Sequence, residues 1–94
     1  MALTFTWDPR KAAGNLRKHK LSFAEAPTVF NDSMSVTAAD PDHSQDEDRF
    51  LIIGVSRRGK PIIVSFVERG GTICLISARP LTVQERVQYE EIKG

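Results

Sequence analysis

Strands are predicted wherever apolar and polar residues alternate along the chain. The segment LTFTW at residues 3–7 sets a leucine and two aromatic residues against two threonines, which is the period of a half-buried strand. The same alternation in Met34, Val36 and Ala38 predicts a brief second strand. Three longer strands are predicted by runs rich in β-branched residues: FLIIGVSR (50–57), PIIVSFVER (61–69) and TICLISAR (72–79). The turn-forming segments RRGK and Gly70-Gly71 join them. Together with the brief second strand they form an antiparallel meander of four strands.

A helix over residues 9–19 is predicted by its start signal and its periodicity. Asp8 suits the N-cap and Pro9 the first helical position. Ala12, Ala13 and Leu16 fall on an apolar side. The opposite side carries a basic face that suits a polyanionic partner, and it consists of Arg10, Lys11, Arg17 and Lys18.

A second helix, from about residue 23 to residue 31, is predicted by a capping box. Ser22 is followed three residues later by Glu25, so each side chain can bond the backbone N–H of the other residue. Pro27 lies in the second turn and has no backbone N–H to donate. The helix is therefore expected to be short or bent.

The C-terminal helix is predicted to begin after Pro80. Thr82 and Glu85 form its capping box, and Val83 and Val87 are expected to face inward. The full order is β-α-α-β-β-β-β-α, which indicates an α+β fold whose antiparallel sheet is covered by helices on one face. Ninety-four residues suit a single domain that spans residues 1–94.

Charge is distributed unevenly, although the formal net charge is only +1. Six of the twelve acidic residues fall between residues 32 and 48, which leaves thirteen basic residues against six acidic ones in the rest of the chain. A basic body with an acidic loop suits a polyanionic partner. The acidic positions are Asp32, Asp40, Asp42, Asp46, Glu47 and Asp48.

The acidic loop raises the alternative of a metal site, because Asp40, Asp42, His43 and Asp46 lie within a few residues of one another. The calcium-loop pattern is missing, since Gln45 stands where that turn needs glycine. A solvated loop is therefore expected, and neither a metal nor a cofactor is predicted.

The N-terminus MALTFTWDPR has neither the basic nor the apolar segment of a signal peptide, and no stretch is apolar for long enough to span a membrane. We therefore expect a cytosolic protein with no membrane partner. The single cysteine, Cys74, lies in the apolar run TICLIS and is expected to be a buried thiol rather than a nucleophile.

Arg79 is the first candidate for a phosphate ligand. It ends an apolar strand, and a guanidinium fixed there can hold a phosphate by two hydrogen bonds. Arg86 and Tyr89 follow on the C-terminal helix, where the alternative is a salt bridge from Arg86 to Glu90 beside a packed tyrosine. Arg69 belongs to the opposite end of the meander, so a pocket shared with Arg79 requires a strongly curled sheet.

Four motifs distributed over nearly the whole chain together resemble the BrnT toxins of bacterial type II toxin-antitoxin systems: W-D-x-x-K-A-x-x-N-x-x-K-H, S-F-x-E-A, D-H-S and I-S-A-R…E-R-x-x-Y-E. The resemblance implies a RelE-like fold, RNA cleavage that inhibits translation and growth, and neutralisation by BrnA, a ribbon-helix-helix antitoxin. It also implies a toxin–antitoxin hetero-oligomer that binds operator DNA only through the antitoxin. Two residues depart from the family pattern: Lys20 replaces the usual glycine, and Pro27 replaces a helix-compatible residue.

The resemblance further implies roles for particular residues. RelE-like enzymes use basic residues on the sheet and an arginine–tyrosine pairing, and the matching positions here are Arg69, Arg79, Arg86 and Tyr89. Metal-free RNA cleavage must deprotonate the ribose 2′-hydroxyl, stabilise the phosphorane and protonate the leaving 5′-oxygen. Arginines suit the second task, and the candidates for proton transfer are His19, Tyr89 and Glu68. His19 equally suits a structural role, as a cation at the C-terminus of its helix.

Two functions remain open from the sequence. The first is a metal-independent endoribonuclease toxin, and the second is a non-catalytic RNA- or protein-binding module that serves antitoxin binding and operon repression. Both predict salt-dependent RNA binding, to which the basic face contributes without regard to RNA sequence through Arg10, Lys11, Arg17 and Lys18. Only the first produces new RNA ends. A structural subunit of another complex is a third possibility, against which the basic face counts.

Overall fold

A computed structural model of the chain describes residues 3–40 and 47–93. Within these ranges the predicted α+β class and element order are confirmed, with a 3-10 helix in place of the second α-helix. The elements are β1 (Thr4–Thr6), α1 (Pro9–His19), the 3-10 helix (Ala26–Asn31), β2 (Val36–Ala39), β3 (Arg49–Val55), β4 (Pro61–Arg69), β5 (Thr72–Pro80) and α2 (Val83–Lys93). No helix in the described part of the chain is long and apolar enough to cross a membrane.

One five-stranded sheet runs in the order β1-β5-β4-β3-β2. Strands β2 to β5 form the predicted antiparallel meander, and their turns contain Gly59, Gly70 and Gly71 at positive φ angles of 79°, 56° and 83°. Strand β1 pairs in parallel with the start of β5, over Thr72 to Cys74. The rest of the outer edge of β5 therefore needs other hydrogen-bond partners.

The two faces of the sheet have different covers. Alternate residues of β4, among them Ile62 and Val64, belong to the main core with residues of the α1 side and of the 3-10 helix. Ile63 points to the other face and packs there against Leu81 and Tyr89, at the start and in the middle of the C-terminal segment. Helix α2 therefore lies on the face opposite α1, and the expectation that all helices share one face is wrong. We call this second side the α2 face.

Helix α1 begins and ends where the sequence predicts. The Asp8 carboxylate accepts a hydrogen bond of 2.8 Å from the Arg10 N–H, which caps the N-terminus. At the other end Lys20 takes the left-handed conformation, with φ 59° and ψ 29°, and its N–H bonds the Leu16 carbonyl. A lysine thus terminates the helix in the conformation that glycine adopts at lower cost.

Asn15 anchors α1 to the sheet. Its side-chain amide donates to the Leu21 carbonyl (2.9 Å) and to the Ala78 carbonyl (2.8 Å), and its oxygen accepts from the Ala78 N–H (3.0 Å). The asparagine is only 8% exposed. A single side chain therefore completes the edge of β5 beyond the reach of β1, satisfying both backbone groups of Ala78.

The predicted second helix is wrong in type. Residues 26–31 form i+3 hydrogen bonds, such as Thr28 N–H to Glu25 carbonyl (3.0 Å), because Pro27 at its start offers no N–H. Only half of the capping box forms: the Glu25 N–H donates to Ser22 Oγ (3.1 Å), whereas the buried Glu25 carboxylate accepts from Ser56 Oγ (2.6 Å). The tertiary contact with Ser56 thus competes successfully with the local cap.

Helix α2 has the predicted capping box but not the predicted buried side. The Thr82 N–H donates to the Glu85 carboxylate (2.9 Å), and the Glu85 N–H donates to Thr82 Oγ1 (3.1 Å). Val83 and Val87, expected to face inward, are 81% and 52% exposed. Tyr89 is buried instead, which places the two valines on the outside of the helix.

Candidate active site

A cleft of about 340 Å³ opens on the α2 face, beside the start of α2. Two arginines, two carboxylates and two hydroxyls line it above an apolar floor of Leu51 and Ile63. The polar lining residues are Asp40, Arg49, Ser65, Ser77, Arg79 and Glu85. Two guanidinium groups in one small concave surface favour binding of a phosphate.

Strand register brings these side chains together. Ser65 lies between Leu51 and Ser77 across the three central strands, and Ile63 lies opposite Arg79. Successive outward positions on a strand are two residues apart, so Ser77 and Arg79 share the α2 face. The cleft is therefore built on regular strands rather than on loops.

Arg79 is held by Glu85. Its two terminal nitrogens donate to the two carboxylate oxygens at 2.7 and 2.9 Å, and one of them also reaches the Pro80 carbonyl at 3.2 Å. The hydrogen bonds from Arg79 lower the pKa of Glu85 to about 2, and the same contact raises the pKa of Arg79. Both groups are ionised at neutral pH, and the guanidinium has a fixed direction in the cleft.

Arg49 enters the cleft at the start of β3, and its Nε atom is buried. Its backbone carbonyl accepts a hydrogen bond of 2.8 Å from the N–H of Asp40, which follows β2. This bond continues the β2–β3 ladder and brings the Asp40 carboxylate to the rim of the cleft. Neither residue was among the sequence-predicted site residues, although Arg49 closes the acidic segment DEDR.

Arg69 and Glu68 lie away from this cleft, at the other end of β4. Arg69 lies six positions along β4 from Ile63, the cross-strand partner of Arg79, so the two arginines lie roughly 20 Å apart along the strands. Arg69 makes a two-pronged ion pair with Glu47, and Glu68 is exposed. The sheet is not curled enough to unite the two arginines in one pocket.

Tyr89 is part of the packing beneath α2. It is buried, and its hydroxyl lies 3.5 Å from Asp32 Oδ2, which also accepts a bond of 2.8 Å from the Val55 N–H. Burial and the neighbouring Asp32 raise the pKa of Tyr89. Arg86 is exposed one turn earlier, and neither residue lines the cleft.

The remaining candidates lie on or near α1. His19 is half-buried at the end of that helix and does not line the cleft. Cys74 is half-buried rather than fully buried, contrary to expectation. The basic face is exposed as predicted, at Arg10, Lys11, Arg17 and Lys18.

The proposed acidic loop is only partly described. Asp42, His43 and Asp46 lie outside the described residues. Within residues 3–40 and 47–93, no group of three histidine, cysteine or acidic side chains is arranged to hold a metal ion.

Strand alternation could have revealed only part of the cleft from the sequence. Arg49 and Leu51 share a face by their spacing, as do Ser77 and Arg79. The ion pair of Glu85 with Arg79 was harder to predict, because the capping box with Thr82 already explained a glutamate at this position. The spacing does not give the register between strands, and the register decides whether these pairs lie side by side.

Comparison with known proteins agrees with the fold and indicates the family. The sequence profile described as "Ribonuclease toxin, BrnT, of type II toxin-antitoxin system" matches residues 7–85. The 1.1 Å crystal structure of the Brucella abortus ribonuclease toxin BrnT has the same fold, with a TM-score of 0.64 and 24% sequence identity over 86% of this chain and 99% of that one. No curated protein sequence matches the chain. Because the family profile extends over most of the chain, this protein belongs to the BrnT family of ribonuclease toxins of type II toxin-antitoxin systems.

Proposed function

We propose that this chain is a metal-independent endoribonuclease toxin that inhibits translation and growth, and that its active site is the cleft on the α2 face. The observation that carries the proposal is the pair of arginines, Arg49 and Arg79, in one cleft of about 340 Å³. Membership of a ribonuclease toxin family supplies the substrate class.

Arg79 and Arg49 are suited to the central step of RNA cleavage. Attack of the ribose 2′-hydroxyl on the adjacent phosphate adds negative charge to a pentacoordinate phosphorane. Guanidinium groups fixed beforehand stabilise such charge without reorganisation, which is where preorganised sites gain most. Arg79 is fixed by Glu85, and Arg49 enters the same cleft from the start of β3 with its Nε atom buried.

The two carboxylates of the cleft suit different tasks. A pKa of about 2 makes Glu85 a weak base at neutral pH, so we assign it to holding Arg79 rather than to moving protons. Asp40 is the other carboxylate in the cleft, and we assign to it the abstraction of the 2′-hydroxyl proton. His19, Tyr89 and Glu68, the earlier candidates for proton transfer, do not line the cleft.

A non-catalytic RNA-binding toxin relative is the second candidate function. It is favoured by one observation: Glu85 accepts a hydrogen bond from each terminal nitrogen of Arg79, which leaves fewer N–H donors for a phosphate. Incubating the purified protein with a defined single-stranded RNA separates the two functions. The enzyme produces new RNA ends at catalytic protein concentrations, whereas the binding module only retards the intact RNA.

We expect the chain to co-purify with a BrnA-like ribbon-helix-helix antitoxin, as a hetero-oligomer that binds operator DNA only through the antitoxin. Type II systems pair a toxin with a protein antitoxin, and α2 displays Val83 and Val87 one turn apart as exposed apolar side chains. The measurement is co-expression with the neighbouring gene followed by gel filtration. Separate elution of the two proteins would contradict the expectation.

A further inference from the structure

A second cleft, of about 320 Å³, lies at the end of the sheet opposite the candidate active site. Its lining includes an aromatic ring and two cations: Trp7 after β1, Lys11 in the first turn of α1, and Arg69 at the end of β4. The rest of the lining consists of Thr6, Asp8 and the β5 residues Cys74, Leu75 and Ile76. An aromatic ring and two cations thus meet in one concavity that the proposed chemistry does not use.

Trp7 packs its indole ring against the core and leaves part of it exposed. The ring packs edge-to-face on the buried Phe23, with centroids 6.1 Å apart and planes at 87°. It nevertheless remains 38% exposed. An aromatic ring that packs against a buried ring, with part of its surface open to solvent, suits the stacking of an unpaired nucleobase.

We propose that this cleft is a second RNA subsite, which stacks one nucleobase of single-stranded RNA on Trp7 and contacts its phosphate through Lys11 and Arg69. The inference rests on the proposed function for its substrate class. Lys11 also belongs to the basic face of α1, so the subsite continues a surface already suited to the RNA backbone.

Two carboxylates near the cleft do not prevent this binding. Asp8 accepts the Arg10 N–H as the cap of α1, so part of its charge serves that helix. Glu47 pairs with Arg69, but the arginine side chain is 59% exposed and the glutamate 44% exposed. Ion pairs this open to water stabilise a fold very little, so a phosphate can replace Glu47 on Arg69.

The distance between the two clefts limits the second cleft to binding a different part of the RNA from the first. Arg69 and Arg79 lie roughly 20 Å apart along the strands, so one phosphate cannot contact both. The Trp7 cleft therefore holds a nucleotide that is remote from the scissile bond. It contributes to affinity and to the placement of the strand, and not to bond breaking.

The chain contains a single tryptophan, so its tryptophan fluorescence reports on Trp7 alone. The protein is titrated with a single-stranded 2′-O-methyl RNA oligonucleotide, which lacks the free 2′-hydroxyl and stays intact, while Trp7 fluorescence is recorded. We expect saturable quenching that weakens as salt is raised. In a parallel assay with labelled RNA, Trp7→Ala should weaken binding about five- to a hundredfold, the range found for loss of one base–aromatic stack. Trp7→Phe, which keeps a ring, should retain most of the affinity.

Charge variants provide matched controls. Lys11→Ala and Arg69→Ala should each weaken binding, whereas Arg57→Ala, with the same charge loss in the exposed turn at the far end of the sheet, should change it much less. Melting temperatures of all variants identify any that fail to fold. The subsite would be overturned if RNA did not quench Trp7 fluorescence, even where the antitoxin did. Equal losses of RNA affinity in Arg57→Ala and Arg69→Ala would overturn it as well.

Failure of the subsite is distinguishable from failure of the proposed function. Cleavage of unmodified RNA without quenching of Trp7 would overturn the subsite and leave the enzyme. Quenching without cleavage would support the subsite and contradict the enzyme.

Discussion

Replacing Arg79 by alanine is expected to lower the rate of RNA cleavage by two to three orders of magnitude, about 3–4 kcal/mol in the activation barrier. The guanidinium lies in the cleft on a regular strand, oriented by two hydrogen bonds to Glu85. Its loss removes fixed positive charge from the place where we propose that the phosphorane forms. The measurement is the single-turnover cleavage rate on a defined RNA, compared with the parent protein.

The matched control for this variant is Glu85→Gln. Glutamine can still accept the Thr82 N–H in the capping box, so α2 keeps its start, but the ion pair with Arg79 is lost. If the guanidinium itself stabilises the phosphorane, Glu85→Gln retains much more activity than Arg79→Ala. Equal losses of activity in the two variants, with unchanged melting temperatures, would mean that Arg79 acts only when it is paired with Glu85, and would contradict stabilisation by the guanidinium alone. An Arg79→Ala protein as active as the parent would remove the cleft from the mechanism.

Replacing Asn15 by alanine is expected to lower the free energy of unfolding by about 3 kcal/mol, because buried polar groups left without partners cost roughly 1–3 kcal/mol each. The asparagine makes three hydrogen bonds of 2.8–3.0 Å, two of which satisfy the N–H and the carbonyl of Ala78. For a domain of this size each kcal/mol shifts the melting temperature by roughly 4–8 °C. Thermal unfolding followed by circular dichroism measures the loss.

Two further variants test the explanation for Asn15. Asn15→Asp keeps an acceptor for the Ala78 N–H but cannot donate to the carbonyls of Leu21 and Ala78, so it should destabilise at least as much as alanine. Asn31→Ala removes an exposed asparagine at the end of the 3-10 helix and should change stability by no more than about 0.5 kcal/mol. Similar small effects at Asn15 and Asn31 would contradict the anchoring role.

The strands and the first helix were predictable because their signals are local. β4 was predicted at 61–69 and is found there, since β-branched residues fill it and glycines at positive φ mark its following turn. α1 was predicted from Asp8 and Pro9, which fix its first turn without help from the rest of the chain. Helix α1 still ends at His19, although the next residue is Lys20 rather than a glycine.

The error at residues 23–31 has a local part, Pro27, and a part that a distant residue decides. The Glu25 carboxylate accepts a hydrogen bond from Ser56, 31 positions away, instead of completing the predicted capping box. The 3-10 segment also packs against β3 at Gly54, where an added Cβ would lie 2.6 Å from Val29 Cγ2. Neither contact has a signature in the residues around 23–31.

Only part of the candidate site was predicted, because the rest depends on contacts between residues that are distant in the sequence. Arg79 was identified from its position at a strand end, which is a local feature. Its companions Arg49 and Asp40 come from other strands and depend on register, and the direction of α2 places Tyr89 in the packing rather than in the cleft. Arg69 was grouped with Arg79 by the family resemblance, whereas the sheet separates them.

The central claim is metal-independent cleavage of RNA through attack by the ribose 2′-hydroxyl. The most direct measurement is incubation of the purified protein with a defined RNA in excess EDTA, followed by analysis of the new ends. The proposed mechanism predicts undiminished cleavage with a 2′,3′-cyclic phosphate on one fragment and a 5′-hydroxyl on the other. Cleavage abolished by EDTA, or fragments ending in a 3′-hydroxyl and a 5′-phosphate, would contradict it.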